Sequence, residues 1–62
     1  MNKFVVSVAS GYLSHFIWEG DCSVPVLTNW AAAPRMGFAC AHFIALRLKE
    51  AGFPAIVEAV HG

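Results

Sequence analysis

The sequence has 62 residues, of which 58% are hydrophobic and 13% are charged, and its formal net charge is zero. This length allows one domain (1–62), and a neutral chain whose four basic residues are dispersed lacks the basic patch that nucleic-acid binding needs. A domain this small buries only about 60% of the surface that its unfolded chain exposes, so the excess of apolar side chains predicts surface that another chain covers.

The first two predicted elements are strands that form a hairpin. Residues 3–8 and 12–18 alternate in the manner of strands, and residues 9–11 between them indicate a three-residue loop. The first strand places Phe4, Val6 and Val8 on one face. In the second, the predicted faces are Tyr12, Phe16 and Trp18 on one side and Leu13, His15 and Ile17 on the other. Because both strands are apolar on both faces, the face without a helix also needs a cover.

The middle of the chain is less regular. Residues 23–27 are apolar but contain Pro25, which cannot donate a backbone hydrogen bond to a neighbouring strand. This segment is therefore either an edge strand or an extended loop. Thr28 and Asn29 can cap a single helical turn over residues 30–33, which Pro34 then ends.

A helix is predicted over residues 38–51. Gly37 is suitable as its N-cap, and Gly52 as the left-handed residue that follows its end. Phe53 can then pack back on the last turn, and Pro54 prevents the helix from continuing. The helical spacing predicts a buried stripe of Ala41, Ile44, Ala45 and Leu48, with Ala39, Phe43 and Leu46 on the opposite side.

A last strand is predicted over residues 55–60, which alternate in the same way as the first two strands. The element order is therefore ββ(β)αβ. We predict an α+β fold in which a small antiparallel sheet carries one helix on one face.

The chain resembles small bacteriophage and prophage α+β proteins of unknown function. The stretches that carry the resemblance are Ala33-Pro34-Arg35-Met36, then Ala41, Ala45, Leu48 and Gly52, and then residues 56–60. The resemblance implies a fold and a phage origin, but no activity.

No membrane segment is expected. The most apolar run, residues 38–48, contains His42 and Arg47 and is far shorter than the roughly 20 residues that a spanning helix needs. The apolar stretch near the N-terminus is at the lower limit of about 7 residues for a signal peptide and alternates like a strand. We therefore expect a cytoplasmic protein.

Neither a metal, a cofactor nor an enzymatic activity is expected. Five residues could in principle hold zinc, but they have no C-x-x-C or H-x-x-x-H spacing; they are His15, Cys22, Cys40, His42 and His61. The two cysteines are too few for a disulfide framework, and we expect them to be small apolar residues, with Cys40 buried. A domain this small also rarely forms the cleft that catalysis needs.

The remaining hypothesis is association. The predicted interface residues are Trp18, Trp30, Phe43 and Leu46, because large apolar and aromatic side chains anchor protein interfaces. We expect a homodimer that acts as a protein-interaction module, derived from a phage and directed at a host protein. Two alternatives stay open: a structural accessory protein with no partner beyond itself, and a small metal- or thiol-dependent protein.

Overall fold

The computed structural model describes residues 3–60. Its elements are β1 (Lys3–Val8), β2 (Gly11–Glu19), β3 (Cys22–Thr28), α1 (Phe38–Glu50) and β4 (Ala55–Val60). The four strands form one antiparallel sheet in the order β3-β2-β1-β4. The predicted α+β fold is confirmed, and the segment around Pro25 is an edge strand.

The sheet has a compact half and a projecting half. β1 pairs with β4 along its whole length, but it pairs with β2 only at Ser7 with Tyr12 and at Val8 with Gly11. Beyond this junction β2 pairs with β3 alone. We call residues 14–26, the part of the β2–β3 hairpin beyond the junction, the arm. It makes the molecule elongated, with extents of 38 × 20 × 17 Å.

The turn between β1 and β2 is shorter than predicted. Because Val8 pairs with Gly11, the loop contains two residues, Ala9 and Ser10, and Gly11 already belongs to the strand. Two-residue hairpin loops match the twist of the strands when the first residue has a positive φ. Ala9 has a φ of 51°, and among residues 3–60 it is the only non-glycine residue with a positive value.

Replacing Ala9 with glycine is expected to stabilise the protein by about 0.5–1 kcal/mol, because glycine occupies this conformation without a steric penalty. Urea denaturation followed by circular dichroism measures the change. Ser10→Gly is the matched control and should be neutral or destabilising, since the φ of Ser10 is not positive. A lower stability of Ala9→Gly would contradict the strain assigned to this turn.

A β-bulge in β2 changes which side chains share a face. Leu13 pairs with Leu27 and His15 pairs with Val26, so two steps along β2 oppose one step along β3. The extra residue is Ser14. Since an inserted residue reverses the alternation, the predicted faces of β2 are wrong. Leu13 shares a face with Phe16 and Trp18, and Tyr12 lies on the opposite face.

The helix begins at Phe38, as the sequence predicts, and ends at Glu50, one residue before the predicted end. Gly37 is the N-cap with an extended backbone, and Ala51 is the C-cap. Gly52 follows with a φ of 94°. Its N–H donates to the carbonyl of Lys49, and the N–H of Phe53 donates to that of Leu48 at 2.9 Å. These two bonds form a Schellman motif. No helix within residues 3–60 is long and apolar enough to cross a membrane.

The core lies between α1 and the compact half of the sheet. On the helix Ala41, Ala45 and Leu48 are buried and Ile44 packs against them half-buried, which confirms the predicted stripe. The small side chains of Ala41 and Ala45 permit the helix to approach the sheet closely. The core residues from the strands are Val6, Val8, Leu13 and Ala55, with Phe4 and Val57 beside them. The helix contacts β1 and β4, so it covers only half of its face of the sheet.

The segment 29–37, which we call the crossing segment, connects β3 to the helix and pairs with β1 on the way. Where β2 leaves β1, Met36 takes its place and exchanges two backbone hydrogen bonds with Phe4. Val5 and Ala33 are also buried, but they do not belong to the core that lies beneath the helix. The predicted helical turn is a single hydrogen-bonded turn, in which the backbone N–H of Ala32 donates to the side chain of Asn29 at 2.9 Å.

Candidate interaction site

A groove lies between the outer flank of α1 and the arm. Its volume is about 450 Å³. Apolar side chains dominate its walls, and Arg47 is the one charged residue that lines it. The lining residues are Phe16, Cys22, Ser23, Pro25, Phe43, Ile44, Arg47, Leu48, Ala51 and Phe53.

Three features of the fold create this groove. The bulge at Ser14 turns Phe16 toward the side of the sheet that carries the helix, and Pro25 shares that face as its partner on β3. The helix lies over β1 and β4 and covers β2 only at Leu13, so the same face of the arm has no cover. The Schellman motif at the end of the helix places Phe53 at one end of the groove.

The four residues predicted to form an interface are exposed but do not form one surface. Trp18 is 76% exposed and shares the face of Phe16 near the end of the arm. Phe43 is 63% exposed and lines the groove. Leu46 and Trp30 are also exposed, but neither lines the groove. The structure therefore brings Phe43 together with the aromatic face of the arm and leaves the other two apart.

Trp30 has a partner within its own segment. The guanidinium of Arg35 lies 4.6 Å from the centre of the Trp30 ring and donates hydrogen bonds to the carbonyls of Trp30, Ala31 and Ala33. A cation over an indole face is attractive, and the three carbonyls hold the guanidinium in place. The contact between Trp30 and Arg35 therefore stabilises the conformation of the crossing segment.

The groove has few chemically reactive groups. Cys22 and Ser23 line it, but no His, Asp or Glu among residues 3–60 does so. A thiol or hydroxyl nucleophile needs such a base beside it. The groove volume of about 450 Å³ is nevertheless within the usual range of roughly 300–1,000 Å³ for ligand sites. The expectation that Cys40 is buried is wrong, because both cysteines are free and exposed.

The histidines and cysteines do not converge. Among residues 3–60, no three His, Cys, Asp or Glu side chains lie close enough together to hold a metal ion. His15 forms a hydrogen bond with Ser14 at 3.0 Å, and His42 stacks on Phe38 with the ring centres 5.6 Å apart. His61, the fifth residue considered for zinc, lies outside the described residues.

Of the ten residues that line the groove, only Phe43 belongs to the predicted interface, and Arg47 and Phe53 are two of the other nine. Arg47 stands out in the sequence as a dispersed base and as a charge within the apolar run 38–48, although its spacing of four from Phe43 places both on one side of the helix. Phe53 was assigned to the helix end alone. The helical spacing could have revealed the first, whereas the second depends on how the arm lies beside the helix.

Comparisons of this chain with protein-family models, curated proteins and solved structures find no match. Its function is therefore inferred from the geometry of the groove and of the surfaces around it.

Proposed function

We propose that this protein is a small self-associating protein-interaction module whose contact surface is the groove face. We define the groove face as the residues that line the groove together with the exposed Trp18 beside them. The observation that carries the proposal is that Phe16, Trp18, Phe43 and Phe53 are all exposed and gather on this one side of the molecule.

The physical reason is the cost of leaving this surface in water. Fully burying a large apolar side chain contributes roughly 1.5–3 kcal/mol, and the partly exposed aromatic residues here contribute a share of that when a contact covers them. Tyrosine and tryptophan also supply large contact area at a low cost in conformational entropy. A contiguous apolar patch of this kind marks an interaction site in soluble proteins. A two-fold dimer uses the same patch twice and is the commonest closed arrangement.

Sedimentation velocity across a range of micromolar concentrations tests the proposal. We expect the wild-type protein to form dimers, and Phe43→Asp and Trp18→Asp to shift it to monomers, because each places a charge in the contact. Both residues are exposed in the single chain, so circular dichroism should show an intact fold.

Ile56→Asp is the matched control. Ile56 is 64% exposed, nearly the same as Phe43, but it lies on the opposite face of the sheet. This variant should remain dimeric. A wild-type protein that is monomeric at high micromolar concentration would contradict self-association. A dimer that only Ile56→Asp dissociates would show that the contact is on the face of the sheet opposite the groove.

The proposal extends to a phage origin, a cytoplasmic location and a host protein as second partner. The resemblance of the sequence to small phage proteins supports the phage origin, and two free exposed thiols are compatible with a reducing compartment. A host protein retained from a cell lysate by the wild type but not by Phe43→Asp would support a shared contact surface.

A further inference from the structure

The charge in the groove restricts what can occupy it. Arg47 is the one charged lining residue, and none of the side-chain hydrogen bonds found among residues 3–60 involves it. An occupant that removes water from the groove must therefore offer the guanidinium an acceptor, because an unpaired charge is costly to bury. A carboxylate beside an aromatic group has the matching chemistry.

The end of the arm carries this chemistry. Trp18 is the most exposed large apolar residue of the described chain. Glu19 follows it on the other face of β2, and after Gly20 the turn continues with Asp21, so that two carboxylates lie within three residues of one indole. All three side chains are exposed.

The whole chain divides its charges in the same way. Two of its four acidic residues, Glu19 and Asp21, lie at the end of the arm, and two of its four basic residues, Arg47 and Lys49, lie in the last turn of the helix. The end of the arm is thus acidic, whereas Arg47 is the one basic residue that lines the groove, and Glu50 follows Lys49 in the same helical turn. A second copy of the same chain provides the complementary group at each place.

From this complementarity we propose that two copies exchange arms about a two-fold axis. Trp18 of each copy enters the groove of the other, and the carboxylates of Glu19 and Asp21 lie beside the other copy's Arg47. The arm is long enough, since residues 14–19 extend about 20 Å at roughly 3.4 Å per residue. Such a contact is isologous, because each copy gives the arm and receives it. The inference rests on the proposed self-association and assigns its geometry.

Charge reversal tests the exchange. One variant carries Glu19→Arg with Asp21→Arg, and the other carries Arg47→Glu; every altered side chain is exposed. In each variant alone, like charges meet twice per dimer, and we expect the dissociation constant to rise by about tenfold or more. An equimolar mixture of the two variants should form a heterodimer of near wild-type affinity, because both of its contacts pair opposite charges.

Combining all three substitutions in one chain should likewise restore the homodimer. Lys49→Glu is the matched control, since it reverses a charge in the same helical turn but does not line the groove. Its dimer should be more stable than the homodimer of either charge-reversed variant. Sedimentation equilibrium with one variant fluorescently labelled measures every combination.

The possible failures are distinguishable. A wild type that does not associate would overturn the proposed function itself. A dimer that Phe43→Asp disrupts but both charge reversals leave intact would overturn only the arm exchange. Rescue by the triple variant without rescue in the mixture would also overturn it, because the charges would then meet within one chain.

Discussion

Leu48→Ala is expected to destabilise the protein by about 2–5 kcal/mol and to unfold most of the population. Leu48 is only 2% exposed and belongs to the core between the helix and the sheet. Truncating a buried leucine removes its transfer free energy and leaves a cavity. A domain of this size rarely has more than about 3–5 kcal/mol of stability in total, so a single truncation consumes most of it.

Leu46→Ala is the matched control on the same helix. Leu46 is exposed two residues away, and its truncation should change the free energy of unfolding by no more than about 0.5 kcal/mol. Thermal and urea denaturation followed by circular dichroism compare the two variants. Equal melting curves for Leu48→Ala and the wild type would mean that the helix packs on the sheet through another side.

Ala41→Leu is expected to destabilise the protein by about 1–3 kcal/mol, although it adds apolar volume. Ala41 is completely buried in the core between α1 and the sheet. A larger side chain there has no space, so the helix must move away or adopt a strained rotamer. Denaturation in urea should show a lower midpoint.

Ala39→Leu introduces the same side chain two positions earlier, where the helix is exposed. Because alanine and leucine have similar helix propensities, this control should have a stability within about 0.5 kcal/mol of the wild type. If Ala41→Leu were equally well tolerated, the close approach of the helix to the sheet would be wrong.

The order and type of the elements could be predicted because each has a local signal. The helix had its buried stripe and the Gly52-Phe53-Pro54 end, and the strands had their alternation. Pro25, which lacks the N–H that an inner strand needs, limited residues 23–27 to an edge strand or an extended loop, and the structure shows the edge strand. These signals act within a few residues, so a single sequence contains them.

The groove could not be predicted because it depends on two features without a local signal. The bulge at Ser14 reverses the faces of β2, and a serine in a strand does not by itself indicate a bulge. The position of the helix over β1 and β4, which leaves the arm uncovered, is a result of packing. Prediction therefore identified Phe43 and Trp18 as exposed aromatic residues without showing that they share a side with Phe16.

The narrow junction of the arm has a consequence for how the molecule opens. The arm is attached to the rest of the sheet by only two residue pairs between β1 and β2, and none of residues 14–28 is buried. A two-stranded hairpin is marginally stable by itself in water, so the arm can unfold locally while the core around Leu48 stays intact. Its amide hydrogens then exchange with solvent much faster than those of β4. A partner or second copy that binds the arm slows that exchange.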